Sequence, residues 1–135
     1  QEEKKHLYAP NASVLVVDDN KMNLTVVKAL LKRSAIQLDF AMGGEECLEF
    51  TRNKKYDLIL MDHMMPEPDG VQTLHMLREE KDNVNQNTTV IVLTANAIAG
   101  AAEQYLQEGF ADYLAKPVVG EKLEEVLAKY LDSEE

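Results

Sequence analysis

Short, almost wholly apolar runs alternate along the chain with segments in which apolar residues recur every three or four positions. The apolar runs are predicted to be strands, and they are Val14–Asp18, Gln37–Ala41, Asp57–Met61, Val90–Thr94 and Asp112–Ala115. The first, third and fourth runs are almost continuously apolar, which is typical of strands covered on both faces. The second run alternates between apolar and polar residues, and this favours a position at the edge of a sheet.

Amphipathic helices are predicted between and after these strands. Three segments repeat the helical spacing i, i+3, i+4, i+7, and they begin at Asn23, Ile98 and Leu123. Shorter versions of the spacing run from 45 to 52 and from 71 to 78. Alternation of strands with helices implies right-handed crossovers and a parallel sheet that carries helices on both faces.

Five strands and five helices in this order predict a single α/β domain. We expect a flavodoxin-like, doubly wound (βα)5 fold whose five-stranded parallel sheet has the order 2-1-3-4-5. The predicted domain spans residues 13–132. The charged segment 1–12 is interpreted as a linker or tail, and 133–135 as a second tail.

Composition and charge exclude several classes of function. Acidic residues outnumber basic ones by 24 to 14, so the formal net charge is −10, which argues against direct binding of nucleic acid. No run approaches the roughly 18 apolar residues of a membrane helix, so we expect no direct membrane contact. Cys47 is the only cysteine, which rules out an internal disulfide and favours a reducing compartment such as the cytoplasm.

Polar side chains follow four of the predicted strands at their carboxyl ends, where open parallel sheets bind ligands. They are Asp18 and Asp19 after the first strand, Asp62 after the third, Thr94 after the fourth and Lys116 after the fifth. Neighbouring carboxylates repel unless a cation neutralises them, and hard oxygen ligands favour Mg²⁺. A lysine and a hydroxyl complement a phosphate, so the set indicates phosphoryl transfer.

Four motifs resemble those of response-regulator receiver domains. They are VVDDN at 16–20, MDHMMPEPDG at 61–70, LTANA at 93–97 and YLAKP at 113–117. Each motif alone is weak, but the four occur in the family's order, each at the end of a predicted strand. The resemblance covers roughly Ser13 to Leu131, which is nearly the whole chain.

The resemblance implies a phosphoacceptor and a metal site. Asp62 matches the aspartate whose carboxylate attacks the phosphorus of a phosphohistidine. Asp18 and Asp19 match the acidic pair that holds Mg²⁺. Asp62 and the backbone carbonyl of Met64 complete the protein ligands that the resemblance implies.

The resemblance also implies a switch. Thr94 matches the hydroxyl that contacts the phosphoryl group, and Lys116 matches the cation that pairs with it, so both join Asp62 in the catalytic set. Tyr113 matches the aromatic residue that turns inward when Thr94 moves toward the phosphate. The Lys116-Pro117 bond is expected to be cis, as is usual in the family.

The sequence disfavours three other functions. A flavin or nucleotide binder is disfavoured because Asp18-Asp19-Asn20 stands where a glycine-rich phosphate loop would follow the first strand. An aspartyl phosphatase is disfavoured because Asp62-His63-Met64 lacks the second carboxylate of the D-x-D motif. A degenerate receiver is disfavoured because every motif position is filled. His63 is assigned no chemical role.

The motifs look most like those of receivers joined to hybrid sensor histidine kinases. We therefore expect this chain to take a phosphoryl group from a histidine kinase and pass it to a histidine phosphotransfer domain. A stand-alone single-domain response regulator is the alternative. The receiver would catalyse its own aspartyl phosphorylation and a slow dephosphorylation, because the apolar Met64 cannot orient an attacking water. We expect this domain to be a monomer or a weak dimer in the cytoplasm. A membrane anchor elsewhere in the parent protein is compatible with that location.

Overall fold

The computed structural model describes residues 7–131, in which strands and helices alternate strictly. In chain order the elements are β1 (Ser13–Val17), α1 (Lys21–Leu30), a short 3₁₀ turn (Lys32–Ser34), β2 (Gln37–Ala41), α2 (Gly44–Asn53), β3 (Leu58–Asp62), α3 (Gly70–Glu79), β4 (Thr89–Thr94), α4 (Ala99–Glu108), β5 (Asp112–Ala115) and α5 (Gly120–Ala128). The predicted strands agree with these bounds to within one residue at each end. Within 7–131, none of the helices is both long and apolar enough to cross a bilayer.

The five strands form one parallel sheet in the order β2-β1-β3-β4-β5, which confirms the predicted order. Its register aligns the carboxyl ends of the central strands. Val17 pairs with Met61, so the next residue along each of these adjacent strands, Asp18 and Asp62, lies at the same level of the sheet. Thr94 pairs with Ala115, which places Lys116 just beyond it.

Apolar side chains fill both faces of the sheet because successive strand residues point to opposite sides. Val14 and Val16 belong to the cluster that α1 and α5 cover. Leu15 and Val17 belong to the cluster on the other face, which α2, α3 and α4 cover. The sheet is thereby held as a rigid support for the residues at its carboxyl edge.

The folded unit begins earlier than the predicted boundary at residue 13. Leu7 and Ala9 are buried in the same cluster as Leu123 of α5, and the Ala9 N–H donates to the Ser34 carbonyl at 2.8 Å. This segment is irregular and has no periodic pattern, so its packing is not predictable from the sequence. Residues 1–6 of the predicted linker and the predicted tail 133–135 lie outside the described residues.

Candidate functional site

Three carboxylates meet at the carboxyl edge of the sheet. Asp18 and Asp19 follow β1, and Asp62 is the last residue of β3. One carboxylate oxygen from each lies within 4.8 Å of the other two. Asp18 is 1% exposed and Asp62 is 3% exposed, whereas Asp19 faces solvent. The sequence-predicted acidic cluster is therefore formed in the structure.

Lys116 lies among these carboxylates. Its Nζ donates to Asp62 Oδ1 at 2.8 Å and to Asp18 Oδ2 at 3.1 Å. The backbone fixes the start of this side chain, because the Lys116 N–H donates to the Thr94 carbonyl at 2.9 Å. The Lys116-Pro117 bond is cis, as expected from the resemblance.

The cluster carries an excess of negative charge. Burial raises the pKa of Asp62, the hydrogen bond from Lys116 opposes this, and the charges of Asp18 and Asp19 raise the pKa further, so that the net shift is upward. Burial alone would lower the pKa of Lys116, but its hydrogen bonds to Asp62 and Asp18 outweigh burial and raise it. One ammonium group thus faces three carboxylates, and these hard oxygen donors are what a divalent cation such as Mg²⁺ prefers.

The orientation of Asp18 is fixed by α1. The Asn20 N–H donates to Asp18 Oδ1 at 2.9 Å, and Asn23 Nδ2 donates to Asp18 Oδ2 at 3.1 Å. Asn20 also caps the helix, since its Oδ1 accepts from the Met22 N–H at 2.9 Å. Sequence reasoning placed Asn23 only on the packed face of the helix. A polar residue in that apolar stripe was the signal that it serves the site.

The loop after β3 is held close to Asp62, the predicted phosphoacceptor. The Gly70 N–H donates to the His63 carbonyl at 2.9 Å, and a Cβ on Gly70 would lie 2.3 Å from the Asp62 carbonyl oxygen. Asp69 and Gln72 form a reciprocal capping box at the start of α3. Only a glycine permits this close approach, so Gly70 belongs to the machinery that positions Asp62.

The Thr94 hydroxyl is engaged by protein groups. Thr94 is 3% exposed, and its Oγ1 accepts from the Asn96 N–H at 2.9 Å. It also lies 2.8 Å from the hydroxyl of Tyr105, which in turn lies 2.7 Å from His63 Nδ1. Sequence reasoning gave neither Tyr105 nor His63 a role, because a tyrosine on the packed stripe of a helix looks like core.

The two remaining predicted residues lie at the margin of the site. Tyr113 is partly buried on β5, level with Val92 of β4, and packs against the cluster under α4. The side chain of Met64 is 73% exposed. That the Met64 carbonyl holds a metal, and that Tyr113 turns inward, stay predictions.

Known proteins resemble this chain in sequence and in fold. The family model described as response regulator receiver domain matches residues 14–128. The signal transduction histidine-protein kinase BarA of Escherichia coli K12 is 37% identical over 118 residues, which are 87% of this chain. The chain spans 13% of the length of that relative.

Two solved structures have the same fold. The receiver domain of the Francisella response regulator 1452 superposes with a TM-score of 0.80 at 33% identity, covering 89% of this chain and 96% of that one. The receiver domain of the sensor histidine kinase PA1611 from Pseudomonas aeruginosa PAO1 superposes with a TM-score of 0.78 at 33% identity, covering 90% of this chain and 98% of that one. The latter has a magnesium ion coordinated in its active-site cleft.

Proposed function

Because the chain belongs to the response regulator receiver domain family, we propose that it accepts a phosphoryl group on Asp62 and changes conformation as a result. The observation that carries this proposal is the contact between the buried Asp62 carboxylate and Lys116, beside Asp18 and Asp19. The Lys116 ammonium thus holds the Asp62 carboxylate in place within a polar cleft at the edge of the sheet. Phosphoryl transfer relies mainly on such positioning and charge neutralisation.

The residues of the site divide the work of the transfer. The Asp62 carboxylate attacks the phosphorus of a phosphohistidine, a P–O bond forms and the P–N bond breaks. The electron pair of the broken bond leaves with the imidazole, which takes up a proton. Lys116 stabilises the charge on the transferred group, and the Thr94 hydroxyl donates a hydrogen bond to it.

We propose that Asp18, Asp19 and Asp62, with the Met64 carbonyl, hold Mg²⁺. The carboxylates fit such an ion because their oxygens lie within 4.8 Å of one another. Their combined negative charge also exceeds the positive charge of the single Lys116 ammonium. The magnesium in the cleft of the PA1611 receiver supports the assignment. A bound ion would neutralise negative charge on the phosphoryl oxygens.

We further propose that this receiver works as a segment of a hybrid sensor histidine kinase in the cytoplasm. It would then accept its phosphoryl group from a kinase core and pass the group to a histidine phosphotransfer domain. The likeness to BarA, a signal transduction histidine-protein kinase, supports this proposal. Phosphotransfer to a separate histidine phosphotransfer domain, measured with the phosphorylated chain, tests it against a stand-alone regulator.

Intact mass after incubation with Mg²⁺ and acetyl phosphate tests the acceptor. We expect the native chain to gain one phosphoryl group and Asp62→Asn to gain none. Asp57→Asn is the matched control, because Asp57 precedes the same strand that Asp62 ends and binds the Ser13 N–H at 2.8 Å. A gain in Asp62→Asn equal to that of the native chain, or no gain in the native chain with either acetyl phosphate or a phosphorylated histidine kinase, contradicts the proposal.

A further inference from the structure

The hydroxyl of Tyr105 connects α4 to the ends of β3 and β4. It lies 2.8 Å from Thr94 Oγ1 and 2.7 Å from His63 Nδ1. Tyr105 is 7% exposed, and its ring packs edge-on against His63 and against Phe110. The ring is therefore held by the core, while its hydroxyl reaches the residue predicted to contact the phosphoryl group.

Counting protons shows how Tyr105 engages Thr94. A tyrosine hydroxyl has one proton, so it donates to one of its two neighbours and accepts from the other. Either Thr94 donates to Tyr105 and Tyr105 donates to His63, or the direction of both bonds is reversed. Since the Asn96 N–H also donates to Thr94 Oγ1, the reversed arrangement holds that oxygen with two donors. In the first arrangement, a phosphoryl group that accepts the Thr94 proton takes it from the bond to Tyr105; in the reversed arrangement, any displacement of Oγ1 away from α4 stretches that bond.

We propose that Tyr105 is a positioning residue that holds Thr94 in its unphosphorylated position. A phosphoryl group on Asp62 competes with the Tyr105 hydroxyl for the Thr94 hydroxyl, and this inference rests on the proposed function of Asp62. When the Thr94–Tyr105 bond breaks, α4 loses a tie to the end of β4. Tyr105 thereby couples phosphorylation to α4, separately from Tyr113 on β5.

Tyr105→Phe removes the hydroxyl and keeps the ring, so it isolates the competition. The probe is beryllium fluoride, which mimics a phosphoryl group on a carboxylate, titrated in the presence of Mg²⁺ into the full 135-residue chain. We expect Tyr105→Phe to bind the probe about three- to tenfold more tightly than the native chain, which is the worth of one neutral hydrogen bond. The fluorine NMR signal of the bound probe gives the occupancy, and it can be read in every variant, including those that lack the Thr94 hydroxyl.

A double-mutant cycle separates positioning from a merely structural effect. In the Thr94→Ala background there is no hydroxyl to compete for, so adding Tyr105→Phe is expected to leave the affinity unchanged. Tyr56→Phe is the matched control, because Tyr56 is also a buried tyrosine whose hydroxyl is bonded, here to Asp39 at 2.6 Å. It is expected to lower stability without changing the affinity for the probe.

Equal or weaker binding by Tyr105→Phe would overturn the inference, and so would the same tightening in the Thr94→Ala background. In both cases, tight binding by the native chain and loss of binding in Asp62→Asn would leave the proposed function intact. Failure of the native chain to bind the probe, or equal binding by Asp62→Asn, would overturn the proposed function and this inference together.

Discussion

Replacing Asp62 with asparagine removes a charge from the acidic cluster and keeps the shape of the side chain. The Asp62 carboxylate lies within 4.8 Å of those of Asp18 and Asp19, which gives a repulsion of ~3.5 kcal/mol per pair at an effective dielectric constant of about 20. Because Asp19 is exposed, solvent weakens the repulsion between Asp19 and Asp62. The Lys116 contact at 2.8 Å gives an attraction of ~6 kcal/mol on the same basis.

The Coulomb terms at Asp62 therefore nearly cancel, and burial of the carboxylate decides the sign. Taking a carboxylate out of water costs several kcal/mol, whereas an asparagine amide costs less and its oxygen still accepts from Lys116. We expect Asp62→Asn to raise the free energy of unfolding by ~1–2 kcal/mol when no divalent cation is present. For a domain of this size the midpoint of thermal unfolding then rises by about 3–8 °C.

Thermal unfolding in a chelator at low ionic strength measures this effect. Asp57→Asn, the matched control, is expected to stay within about 0.5 kcal/mol of the native chain, because Asp57 is exposed and an asparagine oxygen can still accept from the Ser13 N–H. Added Mg²⁺ is expected to stabilise the native chain and to stabilise Asp62→Asn much less. A loss of stability in Asp62→Asn, or a gain no larger than that of Asp57→Asn, would refute the reasoning.

Three further substitutions test other parts of the site and fold. Gly70→Ala places a methyl group 2.3 Å from the Asp62 carbonyl, so we expect phosphorylation by acetyl phosphate to slow by roughly 10- to 100-fold. Lys116→Ala is expected to keep the fold by circular dichroism, yet to lose the amide shifts that phosphorylation causes elsewhere in the native chain. Tyr56→Phe is expected to cost about 1 kcal/mol at pH 7 in urea unfolding, because it removes a hydrogen bond to the partly exposed Asp39 carboxylate.

The cost of Tyr56→Phe should depend on pH. Burial raises the pKa of Asp39, but hydrogen bonds from Tyr56 and Lys54 and the charge of Lys54 outweigh it, so the net pKa is lowered. Because the pKa is lowered on folding, the carboxylate stabilises the fold at any pH above its unfolded pKa of about 3.9. This stabilisation is lost as the pH falls through the folded pKa. A cost as large at pH 3 as at pH 7 would contradict this account.

Controls exist for the other two substitutions. Gly43→Ala changes a glycine whose added Cβ would meet nothing within 4 Å, so the phosphorylation rate is expected to stay at the native value. A normal rate in Gly70→Ala would show that the loop after β3 tolerates the methyl group. Lys54→Ala removes a lysine that pairs with Asp39 at 2.9 Å, and it should leave the phosphorylation-induced shifts unchanged. Native shifts in Lys116→Ala would remove that residue from the switch.

The residues at the strand ends were predictable because two simple patterns fix them. Continuous apolar runs mark the buried strands, and a polar residue such as Asp62 directly after Met61 then has to lie at the carboxyl edge. Parallel pairing brings such ends together without any further information. The acidic cluster and Lys116 were predicted for this reason.

The hydrogen bonds between the site and its supporting helices were not predictable in the same way. Tyr105 fits an apolar helical stripe whether or not its hydroxyl reaches Thr94, and the difference depends on the distance between α4 and β4. Asn23 likewise occupies a packed helix position. The segment around Leu7 has no period at all, so its burial depends wholly on the shape of the surface it covers.

The central claim is that Asp62, among the three neighbouring carboxylates, receives the phosphoryl group. Reduction with borohydride converts a phosphorylated aspartate to homoserine, whose mass differs from that of aspartate. Trypsin then separates the candidates, because Asp18 and Asp19 lie in peptide 6–21 and Asp62 lies in peptide 56–78. After phosphorylation in Mg²⁺, we expect homoserine at position 62 by fragmentation of peptide 56–78, with Asp57 and Asp69 unchanged. Homoserine at any other position, or none after a measured gain of one phosphoryl group, would contradict the account.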